Sequence, residues 1–285
     1  MGIKVENIFY TYQKKASNST QALDNVSLSI NEGDFVAIVG ETGSGKSTLA
    51  QTLNALIVPD QGEVKVDEFV VSYKNRKSKK MRQLRKHVGL VFQFPEYQLF
   101  EETVEKDVAF GVKNFGINTE EALASAHKAL RRVGLDESYY KRPPFELSGG
   151  ERRKVAIAGI LALNPDIIIF DEPTVGFDPA SAKELMGLIV SMYKLGKTII
   201  VITHDMDLVN EYAKKVFMME NGKVIFEGTP SELFIHAQNN DCLDIPKVIK
   251  LALSLKEKGI DIDTSKIHNV DDLISSIKTW REKHG

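Results

Sequence analysis

Hydrophobic and polar positions alternate along the first part of the chain in a way that predicts short strands. The β-rich runs IKVENIFY, VSLSI, FVAIV and EVKV fill the first sixty-odd residues, with turn signals such as NEGD and PDQG between them. Short runs of β-branched and aromatic residues bounded by Gly, Pro, Asn and Asp are typical of strands. The pattern predicts an antiparallel β region that leads into one buried strand, FVAIV.

The pattern changes to a helical period in the middle of the chain and then to alternating strands and helices. Apolar positions recur at helical spacing over residues 119–133, and Pro143 and Pro144 then interrupt the helix. Beyond them, IIIF and TIIVI alternate with helix-like segments, and two further β runs flank Asn221 and Gly222. This order predicts parallel strands covered by helices on both faces, with a terminal hairpin.

The last fifty residues have a third pattern, with apolar positions at helical spacing in VIKLALSLKEKG and NVDDLISSIKTW. Asn269 is a candidate N-cap of the last helix, and Asp271 and Asp272 suit its first turn. We therefore expect a helical C-terminal extension. Two explanations stay open for it, packing against the parent domain and dimerisation.

Composition narrows the class of protein without selecting a function. The chain has 285 residues, of which 42% are hydrophobic and 27% charged, and a net charge of -2, so no global field favours nucleic acid. The single cysteine, Cys242, cannot form an internal disulfide, and the N-terminal residues lack a signal-peptide pattern, so we expect a reducing cytoplasm. The apolar runs are strand-sized, so any membrane contact requires a partner.

A glycine-rich segment follows the strand FVAIV and opens an amphipathic helix. Its sequence, GETGSGKST, matches the P-loop pattern, in which backbone N–H groups surround a β-phosphate. Lys46 would supply a cation and Ser47 a hydroxyl for magnesium. The predicted phosphate-binding residues are Gly40, Glu41, Thr42, Gly43, Ser44, Gly45, Lys46, Ser47 and Thr48.

Acidic and imidazole side chains follow the next two buried strands. Asp171 and Glu172 come directly after IIIF, where a P-loop enzyme uses an Asp to hold magnesium and a Glu to polarise the attacking water. A strand that ends in a polar turn is the simpler alternative. His204 follows TIIVI and could form a hydrogen bond with a γ-phosphate. A lone histidine is more often structural, but a position after the next strand on the same sheet edge favours the functional role.

The segment ELSGGERRKVAIAG poses a problem of charge. Arg152, Arg153 and Lys154 lie in the first turn of a predicted helix, where cations are unfavourable by about 0.3 to 1 kcal/mol each. Ser148 and Glu151 fit a capping box, but that leaves the glycine pair and the cations unexplained. The pattern predicts an anion nearby.

Taken together, these segments resemble an ATP-binding cassette (ABC) ATPase over residues 3–235. The signature LSGGE at residues 147–151 distinguishes this family from kinases and small GTPases, which lack it. The resemblance implies an α/β fold, with a RecA-like P-loop core, an antiparallel β subdomain and a helical subdomain at about 94–163. The nucleotide-binding domain would cover residues 1–235 and a C-terminal helical extension residues 236–285, with dimerisation as one of the two explanations for the extension.

The resemblance also implies a role for each site residue. Tyr12 would stack on adenine, and Ser47, Gln93 and Asp171 would hold Mg²⁺. The implied catalytic residues are Glu172 as base, His204, Lys46 and Gln93. The departures LSGGE for LSGGQ and VGFD for SALD or AGLD keep the main donors and the apolar character.

Cassettes of this family pair head to tail, so that the P-loop of one subunit and the signature of the other grip one ATP. The residues expected to act in trans are Ser148, Gly149, Gly150, Glu151 and the D-loop acid Asp178. The missing anion is then the γ-phosphate of the partner's ATP. This chain contains one cassette, so a second cassette, identical or paralogous, is implied.

Two segments closely resemble the energising ATPases of energy-coupling factor (ECF) transporters, most of all the second of their two paralogues. They are VFQFPEYQLFEETVEKDVAFG and RRKVAIAGILALNP. That family docks two ATPases on a transmembrane T-component at the cytoplasmic face and drives an S-component for vitamins or transition-metal ions. The T-component would contact residues 94–100. The apolar cluster there, Phe94, Pro95, Tyr97, Leu99 and Phe100, also fits a buried hinge. Glu96 is a candidate partner for arginines of the coupling helices.

Alternative functions also fit parts of the sequence. One is a non-transport ABC ATPase that serves DNA repair, translation or cluster assembly. DNA-repair members would carry a long insertion and translation members a second cassette, and the sequence shows neither. Another is a regulatory nucleotide-binding module without turnover, which would not need Lys46, Asp171, Glu172 and His204. The basic run at 74–86 fits a solvated loop better than a nucleic-acid or lipid site, and we expect no nucleic-acid partner.

Overall fold

The computed structural model describes residues 2–14, 19–78, 80–238 and 244–284. The strands are β1 Gly2–Tyr12, β2 Thr20–Asn31, β3 Phe35–Val39, β4 Gln61–Val66, β5 Phe69–Val71, β6 Val88–Val91, β7 Ile167–Asp171, β8 Thr198–Ile202, β9 Lys215–Glu220 and β10 Lys223–Gly228. The helices are α1 Lys46–Leu53, α2 Lys80–His87, α3 Val104–Asn114, α4 Thr119–Arg132, α5 Gly149–Leu161, α6 Pro179–Lys194, α7 Met206–Tyr212, α8 Pro230–Gln238, α9 Lys247–Glu257 and α10 Val270–His284. Cys242 lies outside the described residues.

Within this part of the chain, the strands form two sheets. The smaller sheet has the order β2-β1-β4-β5 with antiparallel pairing, which confirms the predicted antiparallel region. The larger sheet has the order β10-β9-β3-β8-β7-β6, in which all pairs are parallel except β9 with β10. The predicted terminal hairpin is therefore present, and its turn residues Asn221 and Gly222 have φ values of 48° and 78°.

The central strands are buried because both faces of the larger sheet are covered, one by α1, α2 and the smaller sheet and the other by α3 to α6. Every residue of β3, β7 and β8 is buried, as their continuous apolar sequences predict. These three strands are parallel neighbours, so their carboxyl ends meet at one edge of the sheet. The P-loop, Glu172 and His204 all follow those ends, and this topology brings the predicted chemistry together.

Helices α3, α4 and α5 come between β6 and β7 in the sequence, and they form a second hydrophobic core with one face of the larger sheet. The predicted helix at 119–133 is α4, which starts after Asn118, whose side chain accepts the N–H of Glu121 at 2.9 Å. The limits proposed for the helical subdomain and for the other domains stay predictions.

The C-terminal helices α9 and α10 form their own small core, and a buried polar anchor holds them to α7. Asn210 is 2% exposed, and its side-chain amide donates to the carbonyls of Ile267 and His268 at 2.9 and 3.0 Å. Asn269 accepts the N–H of Asp272 at 3.0 Å, as predicted for the cap of α10. The extension thus packs against its parent domain. No helix of the described chain is long and apolar enough to cross a bilayer.

Candidate active site

The P-loop forms the turn between β3 and α1, and its lysine lies inside that turn. Lys46 is 9% exposed, and its Nζ donates to the carbonyls of Gly40 and Glu41 at 2.8 and 2.7 Å. Burial lowers the pKa of Lys46, while the carboxylates of Glu172 and Asp171 oppose that shift. The ammonium is therefore held close to the two acidic residues that follow β7.

The loop glycines are required by the packing of this chain itself. Gly45 has a φ of 102°, and a Cβ added there would lie 2.4 Å from the carbonyl oxygen of Ala22 in β2. A Cβ at Gly40 would lie 2.1 Å from the carbonyl oxygen of Met219 in β9. Real side chains do not tolerate such distances, so the turn can form only with glycine at these positions.

Asp171 ends β7 as a buried carboxyl beside a hydroxyl. It is 8% exposed, and burial raises its pKa, whereas a hydrogen bond from Ser47 lowers it and Glu172 raises it further. Gln93 lines the same cleft as Ser47 and Asp171. A set of hydroxyl, carboxylate and amide oxygens next to a phosphate-binding loop fits the preference of Mg²⁺ for hard oxygen ligands.

Glu172 has a backbone conformation that is unusual for its type. Its φ is 50°, and its N–H donates to the carbonyl of Ile202 at 2.9 Å, which fixes it to β8. One carboxylate oxygen, Oε1, lies 2.9 Å from Nδ1 of His204. The other, Oε2, is buried and has no hydrogen-bond partner among the described residues. A carboxylate held in place through one oxygen suits a general base.

These groups line one cleft of about 370 Å³. The lining residues are Tyr12, Thr20, Gln21, Ala22, Thr42, Gly43, Gly45, Lys46, Ser47, Thr48, Gln93, Asp171 and Glu172. The hydroxyl of Tyr12 lies 3.2 Å from Oγ1 of Thr48, and its ring meets that of Tyr10 edge to face. Lys46 also donates hydrogen bonds to three other P-loop residues, Gly40, Glu41 and Ser44. His204 is connected to the cleft by its contact with Glu172.

Sequence reasoning missed Thr20, Gln21 and Ala22. They lie at the start of β2, and no local pattern marks them. Only the placement of the smaller sheet beside α1 brings them to the cleft.

The signature residues do not line this cleft, and they are bonded to one another at the start of α5. Ser148 donates through its N–H and its hydroxyl to Oε2 of Glu151 at 2.8 and 2.7 Å, and Glu151 returns its N–H to Ser148. The predicted capping box is confirmed. Tyr139 donates to the other oxygen of Glu151 at 2.8 Å. Asp178 similarly caps α6 by accepting the N–H groups of Ala180 and Ser181.

The cations after the signature have separate environments. Lys154 pairs with Glu184 at 2.8 Å near the surface, whereas Arg153 is 5% exposed and directed into the domain. Glu96 is directed inward as well: its side chain is 16% exposed, and Oε2 lies 4.0 Å from Nε of Arg153. An arginine of its own chain therefore lies close to Glu96, although Oε2 has no hydrogen-bond partner among the described residues, and the pairing of Glu96 with arginines of a partner stays a prediction.

The aromatic residues of segment 94–100 are at the surface. The exposed fractions of Phe94, Tyr97 and Phe100 are 43%, 83% and 64%. Phe100 also meets Phe110 of α3 edge to face at 4.8 Å. Exposed aromatic rings of this kind favour the partner-groove explanation over a buried hinge, although Pro95 is buried.

Comparison with known proteins agrees with this geometry. The family model described as "ABC transporter" matches residues 23–175. The chain is 48% identical over 262 residues to the energy-coupling factor transporter ATP-binding protein EcfA2 of Streptococcus pneumoniae, covering 91% of this chain and 94% of the relative. The protein of the same name from Streptococcus thermophilus is 46% identical over 269 residues, covering 94% and 96%.

Solved structures show the same likeness. The cbiO1 protein of Clostridium perfringens, described as part of the ABC transporter complex cbiONQ, superposes with a TM-score of 0.72 at 38% identity, covering 90% of this chain and 96% of that one. A dimeric ATP-binding cassette in a post-hydrolysis state bound to ADP and Pi gives 0.71 at 32% identity, covering 80% and 98%. The predicted P-loop ABC fold is confirmed. The chain belongs to the ABC transporter family and, within it, to the ATP-binding proteins of energy-coupling factor transporters.

Proposed function

We propose that the chain hydrolyses ATP to ADP and phosphate and thereby energises an ECF-type membrane importer, as one of two paired cassettes. The observation that carries the proposal is the convergence of Lys46, Asp171 and the Glu172–His204 pair on the cleft beside the P-loop. The relatives are named as transporter ATP-binding proteins, so the non-transport alternative has no support from them.

Each protein group has a defined task in the reaction. The amides of the P-loop and Lys46 bind the phosphates and stabilise the charge that develops on the transferred group. Glu172 orients the attacking water and accepts its proton, while His204 fixes the carboxylate through Oε1. Tyr12, which lines the cleft and is 38% exposed, offers its ring to the adenine base.

We further propose that Ser47, Gln93 and Asp171 hold Mg²⁺. A bound magnesium ion neutralises the charge of the phosphate oxygens. The hydrogen bond between Ser47 and Asp171 keeps the two oxygen ligands together before the nucleotide arrives. The pKa of Asp171 is raised by burial, so a cation beside it also stabilises the ionised form that a metal ligand needs.

Replacing the proposed base tests the catalytic part. In Glu172→Gln we expect hydrolysis to fall by roughly 10²- to 10⁴-fold, the usual contribution of a general base, while ATP still binds. Phosphate release and equilibrium ATP binding should be measured together. Glu120→Gln, an exposed glutamate on α4, is the matched control and should turn over normally. Near-normal turnover in Glu172→Gln would remove Glu172 from the role.

We propose that the partners are a second ABC ATPase, a transmembrane T-component that contacts residues 94–100, and an S-component held indirectly. This places the chain peripherally at the cytoplasmic face of the cell membrane. The exposed rings of Phe94, Tyr97 and Phe100 support the contact, because clustered exposed aromatics are typical of interface centres. By family analogy the cargo is a vitamin or a transition-metal ion.

Affinity capture from detergent-solubilised membranes tests the assembly. We expect a second cassette and two small membrane proteins to co-purify, and a complex without membrane proteins would contradict the importer function. Tyr97→Lys should reduce capture of the membrane proteins without affecting ATP binding. Tyr73→Lys is the control, because Tyr73 is 56% exposed but lies in the turn before α2.

A further inference from the structure

Arg153, in the second turn of α5, has contacts that neither the sequence nor the proposed function assigns. Its guanidinium donates through one terminal nitrogen to the carbonyl of Val175 at 2.6 Å. The other terminal nitrogen donates to the carbonyl of Gln93 at 2.7 Å and makes a longer contact of 3.4 Å with the carbonyl of Glu172. One buried side chain therefore joins three segments of the chain: its own helix α5, the segment at residue 93 and the turn at residues 172–175.

The environment of Arg153 is built for a cation. The guanidinium carbon lies 4.6 Å from the ring centroid of Phe177, and Nε lies 4.0 Å from Glu96. Burial lowers the pKa of Arg153, and Glu96 opposes that shift. A guanidinium keeps its charge in proteins and offers a planar set of donors, which is the geometry needed to reach several carbonyls at once.

The three segments are those that the proposed reaction depends on. Gln93 is a proposed magnesium ligand and precedes the exposed aromatic segment 94–100. Glu172 is the proposed base, and Val175 lies in the turn that leads to Asp178. Arg153 itself belongs to the helix that begins at the signature. The contacts of this arginine thus connect the signature of a chain to the cleft of the same chain.

We propose that Arg153 is a positioning residue that holds the Glu172 carboxylate in place and couples it to the signature helix and to segment 94–100. Glu172 has a φ of 50°, a conformation that costs energy in a residue with a side chain and that the surroundings must maintain. Its N–H is fixed by Ile202 and its carbonyl is contacted by Arg153. A displacement of α5 or of residue 93 is therefore transmitted to the base. This inference rests on the proposed role of Glu172.

Arg153→Met in the assembled transporter tests the proposal. The variant keeps an unbranched apolar stem and loses its donors, so we expect kcat to fall by roughly 10- to 100-fold, as for a small misplacement of a catalytic group. The amount of ATP bound per cassette and the ATP affinity should stay within about twofold, because Arg153 does not line the cleft. Binding stoichiometry counts the folded molecules, so kcat is read per active cassette.

A double variant separates positioning from a general structural role. In the Glu172→Gln background, Arg153→Met should change single-turnover hydrolysis by less than about twofold, because the carboxylate it positions is gone. Arg153→Lys keeps the charge beside Glu96 but lacks the planar pair of terminal nitrogens, and it should lower kcat as well; it is the variant to read if Arg153→Met does not fold. Arg82→Met is the control, since Arg82 is exposed and lies over Phe115, away from the cleft.

The outcomes are distinct. The proposal is overturned if kcat stays within twofold of the unaltered protein in both Arg153 variants, or if Arg153→Met has the same effect with and without the Glu172 carboxylate. Near-normal turnover of Glu172→Gln by itself would instead overturn the proposed function.

Discussion

The P-loop cleft and the signature segment both carry closely spaced glycines at the start of a helix, but for different physical reasons. In the cleft, a Cβ at Gly45 would collide with the backbone of β2. In the signature, a Cβ added at Gly149 would meet no described atom beyond its own helix within 4 Å, and one at Gly150 would only touch Phe177 at 4.0 Å. Packing within the described chain explains the first glycines and not the second.

The polar side chains differ in the same way. Those of the cleft converge on a shared space and leave Oε2 of Glu172 without a partner. Those of the signature satisfy one another, since Ser148 donates to Glu151. The cleft is thus organised for a ligand of its own, whereas the signature is a closed cap whose glycines allow something outside the chain to approach closely. In the paired-cassette proposal, the group that approaches the signature glycines is the ATP bound to the partner.

The largest effect is expected from a change that breaks the cleft. Gly45→Ala forces a side chain into a φ of 102°, which alone costs about 1 to 3 kcal/mol, and places it against Ala22. We expect lower thermal stability, loss of ATP binding and a fall in hydrolysis of at least roughly 10²-fold. Chemical denaturation and ATP titration of the purified chain measure this. Normal stability would show that the loop tolerates a Cβ.

The same substitution in the signature should act in the opposite direction on stability. Gly149→Ala exchanges an exposed glycine at the start of a helix and should leave the chain unchanged or up to about 1 kcal/mol more stable. Hydrolysis by the paired cassettes should nevertheless fall roughly 10²-fold, because the Cβ blocks the approach of the phosphate. Unaltered turnover would contradict a trans role for this glycine.

Removing the hydroxyl of Ser148 should have a smaller effect. Ser148→Ala deletes a helix cap, which costs about 1 kcal/mol, and one of several donors to the partner's phosphate, which we expect to slow hydrolysis roughly 10-fold. Asn118→Ala is the matched control, because Asn118 caps α4 in the same way. The two variants should lose similar stability, and only the first should lose turnover. Equal turnover in both would assign Ser148 to capping alone.

The smallest expected effect is on the stability of the chain at acidic pH. Hydrogen bonds from Ser148 and from Tyr139 lower the pKa of Glu151 below its ordinary value of 4.5. The stability that this carboxylate contributes is present above pH 4.5 and is lost as the pH falls through the lowered pKa. We expect less than about 1 kcal/mol, because solvent reaches the group. Glu151→Gln should unfold with a shallower dependence on pH below 4.5, and an unchanged slope would contradict this assignment.

Local patterns in the sequence predict much of the fold because the interactions are local. The continuous apolar runs of β7 and β8 and the Asn269 cap depend only on neighbouring residues. The P-loop is equally local, since a single turn carries its lysine and glycines. These features required no knowledge of which elements pack together.

The environment of Arg153 could not be predicted, because it depends on distant segments. In the sequence, Arg152, Arg153 and Lys154 are equivalent members of one charged run. Only the packing of α5 against the turn after Glu172 makes Arg153 buried and leaves Lys154 at the surface. The same packing directs Glu96 toward Arg153, a contact that the sequence did not predict.

The structure of the ATP-loaded Glu172→Gln assembly tests the central comparison most directly. The account predicts that Ser148 and the amides of Gly149 and Gly150 contact the γ-phosphate of a nucleotide held in the cleft of the opposite cassette, whether that cassette is identical or paralogous. It also predicts that the hydroxyl of Ser148 leaves Glu151 to make this contact. A nucleotide enclosed by one chain alone, with the signature still closed on itself, would contradict the account.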